Sequence, residues 1–177
     1  EARYAAGDVP RAEADGIEPL IPTDTYRDLV ERRSRIHATF SARTRPKMQH
    51  IRPVVGSTDI HEYAVDLVVE ALRALDIEPI VAGVDVDPDV FAELAHKHGA
   101  TAVLISTHNG MALDYAERLQ REFQARELAV PIVMGGKLNQ DRPDAPVPVD
   151  VSDDLARLGI HVCDDIDGLL AALRIGN

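Results

Sequence analysis

From Arg52 onward, short apolar runs alternate with helical segments five times, and this alternation constrains the fold more than any other feature of the chain. Strand one covers about 52–56, opening with Pro53-Val54-Val55 and breaking at Gly56. Helix one covers 61–74, with Ala64, Leu67, Val68, Ala71, Leu72 and Leu75 facing inward. Strand two is Glu78-Pro79-Ile80-Val81-Ala82, closed by Gly83. Pro88 starts helix two, whose stripe is Val90, Phe91, Leu94 and Ala95, and Gly99 ends it. Strand three, Ala102 to Ser106, is nearly continuous apolar, as in a strand covered on both faces. Helix three runs from about Met111 to Arg126, and strand four is Pro131 to Met134, followed by Gly135-Gly136. Leu138 to Asp150 reads as a long polar loop. A short helix from Ser152 or Asp153 ends before Gly159, strand five is Ile160-His161-Val162, and helix five spans about Ile166 to Leu173.

Strands and helices alternating in this way imply a parallel sheet with right-handed crossovers. The expected fold is α/β and flavodoxin-like (Rossmann-like), with five strands in the order 2-1-3-4-5. Ligands of such sheets bind beyond the carboxyl ends of the strands, near the reversal between strands one and three. Gly56 to His61, Ser106 to Gly110 and Gly135 to Asn139 would then share one rim, with Gly83 to Asp87 and Cys163-Asp164 beside them. Residues 1–50 form an extension and 51–177 the domain. Within the extension, 1–24 reads as linker, Thr25 to about Phe40 as one helix, and SARTRPKMQHIRP as a basic lead into strand one.

Charge narrows the partners. The chain carries a net charge of −11, and residues 1–50 are nearly neutral, with nine basic and eight acidic side chains. The excess negative charge therefore lies on the domain, and nucleic acid is excluded for want of a cationic footprint. The single cysteine, Cys163, precludes an internal disulfide and favours a reducing compartment. No run reaches the roughly 20 apolar residues that span a bilayer, and none has a signal-peptide pattern, so a cytoplasmic location is expected. The chain starts at Glu1 rather than methionine, as a fragment or a processed product does.

His61 stands where helix one begins, two residues after Asp59. A carboxylate accepting the proton of one imidazole nitrogen fixes the tautomer and makes the other a better donor, as in a metal-ligand histidine backed by an acid. The same residues also describe a helix cap followed by a half-exposed first-turn histidine. His108, Asp85, Asp87 and Cys163 are the nearby extra ligands, none at a metal-site spacing, so one histidine suits a metal already held in a macrocycle. Acid–base work by His61 and His108 is the other possibility. No G-x-S-x-G elbow, G-x-G-x-x-G or P-loop motif is present, and strand three ends in Ser106 instead of a receiver domain's aspartate.

Three strand ends together carry a family pattern. DIHEYA at Asp59 to Ala64, STH at Ser106 to His108 and MGG at Met134 to Gly136 fall in the positions of D-x-H-x-x-G, S-x-L and G-G. From about Arg52 to Ala172 the chain resembles the cobalamin-binding domain of adenosylcobalamin-dependent mutases and corrinoid-dependent methyltransferases. The resemblance implies that His61 is the lower axial ligand of cobalt and that Asp59 holds it. Ser106 would bond the detached benzimidazole of the nucleotide tail. Gly135 and Gly136 would leave the tail room, and Gly56, Ser57 and Thr58 would line its entry. Ile60, Ala64, Thr107, His108 and Gly110 complete the implied cofactor-binding set, with no catalytic side chain of its own. Ala64 and His108 depart from the glycine and leucine of the pattern.

With one helix before the domain, a helical cap of the methyl-carrier kind is absent, so the resemblance favours the cofactor-binding domain or small subunit of an adenosylcobalamin-dependent mutase. A separate substrate-binding barrel or large subunit would complete the hetero-oligomeric isomerase, and the radical 1,2-rearrangement would be the cofactor's chemistry. An acyl-CoA mutase, an aminomutase and an amino-acid carbon-skeleton mutase all stay open. The alternatives are a corrinoid methyl carrier and a non-catalytic cobalamin sensor or carrier.

Overall fold

Pro53–Ser57 forms β1, every residue of which is buried. The computed structural model describes residues 50–174 other than Ala74, together with the helical Glu31, Ser34 and Ala38. The expected extension and its helix otherwise lie outside the described residues. β2 is Ile80–Gly83, β3 Ala102–Thr107, β4 Ile132–Gly136, β5 Asn139–Gln140, β6 Val149–Asp150 and β7 His161–Cys163. The helices are α1 (Glu62–Arg73), α2 (Pro88–His98), α3 (Ala112–Ala125), α4 (Ser152–Arg157) and α5 (Ile166–Arg174).

The main sheet is parallel throughout, in the order β2-β1-β3-β4-β7. This is the expected 2-1-3-4-5, with β7 as its fifth strand. Branched residues in β1, β3 and β4 suit a sheet covered on both faces, because no strand needs a solvated side. Val54, Val103, Ile105, Ile132 and Met134 join α2, α3 and α4 in one core cluster. Val55, Leu104 and Val133 alternate with them and face the other side, where α1 packs on β1 and α5 on β7.

Several boundaries and faces differ from expectation. β2 begins at Ile80 rather than Glu78, because pairing with β1 starts at Val54↔Ile80 and Pro79 has no N–H to offer a ladder. On α1 the buried positions are Val65, Val69, Ala71 and Leu72, while Ala64, Leu67 and Val68 are half-buried. That helix is therefore rotated by part of a turn from the expected stripe. On α2 the inward set is Pro88, Phe91, Ala92 and Ala95, at i, i+3, i+4 and i+7, which leaves Val90 exposed. Gly99 ends α2 in the left-handed conformation, φ 56°, with its N–H turned back to the last carbonyls.

The segment expected to be a polar loop is built instead. Asn139–Gln140 and Val149–Asp150 pair antiparallel, and Gln140 also bridges to Met111. Polar composition concealed this, because the ladder is anchored by buried Leu138 and Val151 on either side. Buried Gln140 caps α3 from outside that helix. Its Oε1 accepts the N–H groups of Leu113 and Asp114, each at 3.1 Å, and its Nε2 donates to Asp114 Oδ2 at 2.8 Å. Gln140→Ala would leave two helix-terminal N–H groups without this partner, and is expected to cost about 1–3 kcal/mol in urea denaturation. An unchanged midpoint would show that water replaces the amide.

Candidate functional site

Three strand ends expected to share a rim are tied together by main-chain bonds. Thr58 N–H donates to Ser106 O at 3.0 Å, Lys137 N–H to Thr107 O at 2.7 Å, and Asp141 N–H to Gly110 O at 2.7 Å. The β2–α2 loop joins them: Asp85 N–H donates to Asp59 O and Val86 N–H to Ser57 O, both at 3.0 Å. Asp85 takes the left-handed region to do so, with φ 52°.

Asp59 lies at the centre, 8% exposed. Its Oδ1 accepts the N–H of His61 at 3.0 Å and lies 2.6 Å from His61 Nδ1. Ser57 Oγ is 3.2 Å from the same oxygen, and Oδ2 accepts the N–H of His108 at 2.6 Å. Burial pushes the Asp59 carboxyl up. The main-chain bond from His61, the imidazole bond and the His108 N–H together outweigh it, leaving the group below its ordinary value. An ionised Asp59 accepts the Nδ1 proton of His61, so Nε2 carries the free lone pair. The His61 side chain is 64% exposed, so that lone pair is available to a ligand outside the protein.

A second network braces the first. Thr58 Oγ1 donates to Thr107 Oγ1 at 2.8 Å, Thr107 Oγ1 to Asn109 Oδ1 at 3.3 Å, and Asn109 Nδ2 back to Thr58 O at 3.1 Å. Asn109 Oδ1 also accepts Met111 N–H at the start of α3. Asn109 falls within the expected Ser106-to-Gly110 stretch of the rim but not within the implied cofactor-binding set. The Asn109-Gly110 pair after a strand is a turn signal that marks it.

The remaining expected residues divide. Ser106 Oγ is buried and has no hydrogen-bond partner among the described residues. The His108 ring stands 5.7 Å from that of His61, tilted by 46°. Gly110 has φ +73°, and a Cβ there would sit 3.1 Å from Asp141 Oδ1. Gly136 has φ +100°, and a Cβ there would meet Thr107 O at 2.5 Å. Gly56 is buried, and a Cβ on it would meet the Phe91 ring at 2.7 Å, so its bareness serves packing against α2. Ile60 is 75% exposed, outside both networks, and Ala64 is half-buried in the first turn of α1. Among the described residues no group of three or more His, Cys, Asp and Glu side chains could hold a metal ion.

Residues 51–151 match the model of the B12 binding domain, which is more than half of the chain. The chain belongs to the B12-binding domain family. This cobalamin-binding domain is 35% identical over 91 residues to glutamate mutase sigma subunit 1 of Haloarcula marismortui, an alignment covering 51% of this chain and 60% of that protein. The chain thus spans less than two thirds of that relative's length. Two solved structures share its fold. One is a cobalamin-binding protein from Desulfitobacterium hafniense DCB-2, with TM-score 0.59 and 16% identity over 93% of this chain and 74% of that one. The other is the monomethylamine corrinoid protein of Methanosarcina barkeri, with TM-score 0.59 and 18% identity over 81% of this chain and 63% of that one. In this B12-binding domain the DIHEYA, STH and MGG segments lie at neighbouring strand ends: Asp59 accepts the His108 N–H, and Ser106 and Thr107 pair with Gly135 and Gly136.

Proposed function

We propose that this B12-binding domain is the cofactor-binding domain or small subunit of an adenosylcobalamin-dependent mutase, and that it holds cobalamin with His61 as the lower axial ligand. The observation that carries the reading is the 2.6 Å Asp59–His61 pair, which turns a free Nε2 lone pair out of the rim. The unpartnered Ser106 Oγ supports the fit of a nucleotide tail, since a buried hydroxyl without a partner costs about 1–3 kcal/mol unless a ligand or water satisfies it.

When bound, the cofactor supplies a cobalt–carbon bond whose homolysis starts a radical 1,2-rearrangement. The chain's residues orient it. Asp59 fixes the imidazole tautomer and strengthens its donor nitrogen, while Ser57, His108 N–H and the loop carbonyl bonds hold the carboxylate still. Ser106 offers its hydroxyl to the tail's base. The likeness to a glutamate mutase subunit favours an amino-acid carbon-skeleton rearrangement, with substrate contacts on a separate barrel or large subunit. No helix of the described residues is long and apolar enough to cross a membrane, in keeping with a cytoplasmic complex.

The test is the visible spectrum of the purified chain titrated with cobalamin. Wild type is expected to give the spectrum of an imidazole-ligated, base-off corrinoid. His61→Ala should retain the fold, lose that spectrum and bind at least about tenfold more weakly. An unaltered spectrum and affinity in the variant would remove His61 from the cobalt.

A further inference from the structure

The end of the sheet to which the proposed reading brings the nucleotide tail is acidic. Asp85 and Asp87 on the β2–α2 loop, Asp141 after β5 and Asp164 after β7 are all exposed there, on a chain of net charge −11. A tail joined to the corrin through a phosphodiester adds negative charge to that end, and a cation beside it offsets the repulsion. Two guanidinium groups that reach these loops are already engaged: Arg118 pairs with Asp87 at 3.4 Å and Arg142 with Asp154 at 3.2 Å. Lys137 is exposed, and its ammonium has no ion-pair or hydrogen-bond partner among the described residues.

The main chain fixes where Lys137 stands. Gly136, with φ +100°, turns the chain over the end of β4, and Lys137 N–H then donates to Thr107 O at 2.7 Å. Ser106, whose buried Oγ lacks a partner among the described residues, pairs in register with Gly135, two residues before Lys137. At about 3.3 Å per residue, the lysine lies up to about 7 Å nearer the open end of the sheet than the hydroxyl. A nucleotide entering base-first places its base and its phosphate in that order.

We propose that Lys137 is a specificity-determining residue for corrinoids that carry a nucleotide tail, its ammonium pairing with the tail's phosphodiester while Ser106 takes the base. This rests on the reading that the domain takes cobalamin base-off. The flexible four-carbon stem brings the charge to the phosphate without moving the main chain. Cobinamide, which lacks the nucleotide and its phosphodiester, is more positive than cobalamin and gains nothing from the ammonium. An exposed pair of this kind is screened by salt.

The experiment titrates the full chain with cobalamin and with cobinamide in about 0.1 M and about 1 M potassium chloride, where charges are screened beyond about 10 Å and about 3 Å. At the lower salt Lys137→Gln is expected to weaken cobalamin by about threefold to tenfold and to leave cobinamide within about twofold. At the higher salt the cobalamin loss should shrink to within about twofold. Lys137→Arg keeps the charge and should bind cobalamin within about twofold of wild type, and urea midpoints of both variants check that the fold is kept. Unchanged cobalamin affinity of Lys137→Gln in a base-off complex, an equal loss for both probes, or a loss that salt does not diminish overturns the inference and leaves the His61 reading intact. A wild-type complex with benzimidazole still on cobalt overturns both.

Discussion

Asp59→Ala is expected to lower the stability of the ligand-free chain by about 2–4 kcal/mol and to weaken cobalamin binding by about 10- to 100-fold. The stability loss comes from donors left behind. His61 N–H and His108 N–H both point at the carboxylate, at 3.0 and 2.6 Å, and a methyl group accepts neither. The binding loss has a different origin, because His61 without its anchor at Nδ1 is free to change tautomer and to rotate. The pH dependence separates Asp59 from a merely packed residue. Its folded-state carboxyl lies below the ordinary value of 3.8, so its contribution is fully present above that value and is lost as pH falls through the folded one. The gap between wild type and variant in urea denaturation should therefore be constant near neutrality and close in strong acid. A gap that persists unchanged into strong acid would mean that the carboxylate's charge does not matter.

Phe91→Ala is expected to cost about 3–5 kcal/mol, the range for emptying a buried aromatic position. The side chain is 0% exposed, and its ring lies against Gly56, the next-to-last residue of β1, before the Asp59 loop. A Cβ placed on Gly56 would come within 2.7 Å of Phe91 Cζ and 3.0 Å of Gly83 O. Gly56→Ala alone should then cost about 1–3 kcal/mol by overpacking. In the Phe91→Ala background the same methyl group enters vacated space and should cost less, since residues in contact are not additive. Chemical denaturation of the four proteins measures the coupling. Strictly additive losses would mean that Gly56 is bare for another reason.

These two residues stand on opposite sides of what the sequence reveals. Asp59 and His61 were legible because D-x-H depends on local geometry: a turn, a first helical residue and a two-residue separation suffice to bring Nδ1 to the carboxylate. The Ser106 and Gly135-Gly136 segments were legible as strand ends for the same reason. Gly56 carried no such information, because the ring that excludes its side chain comes from α2, distant in the chain. His108 read as a departure from a pattern. Its main-chain bond to Asp59 Oδ2 and its ring's place beside His61 and Gly136 exist only once β3 lies between β1 and β4. Gln140 was hidden in a stretch whose polar composition looks like loop, and its function is to satisfy another element's N–H groups.

The sequence alone determined the alternation of strand and helix and the residues at the strand ends; the sheet order was expected from the element count, and the pairing β2-β1-β3-β4-β7 bears it out. Period-2 and period-3.6 burial patterns and the residues at strand ends are local properties of a chain. Tertiary structure decided which face of α1 and α2 is buried, which donors meet on Asp59, and which neighbouring strands crowd Gly135 and Gly136. Those are relations between atoms far apart in sequence, fixed by packing density and by the need of each buried polar group for a partner, and no single segment encodes them.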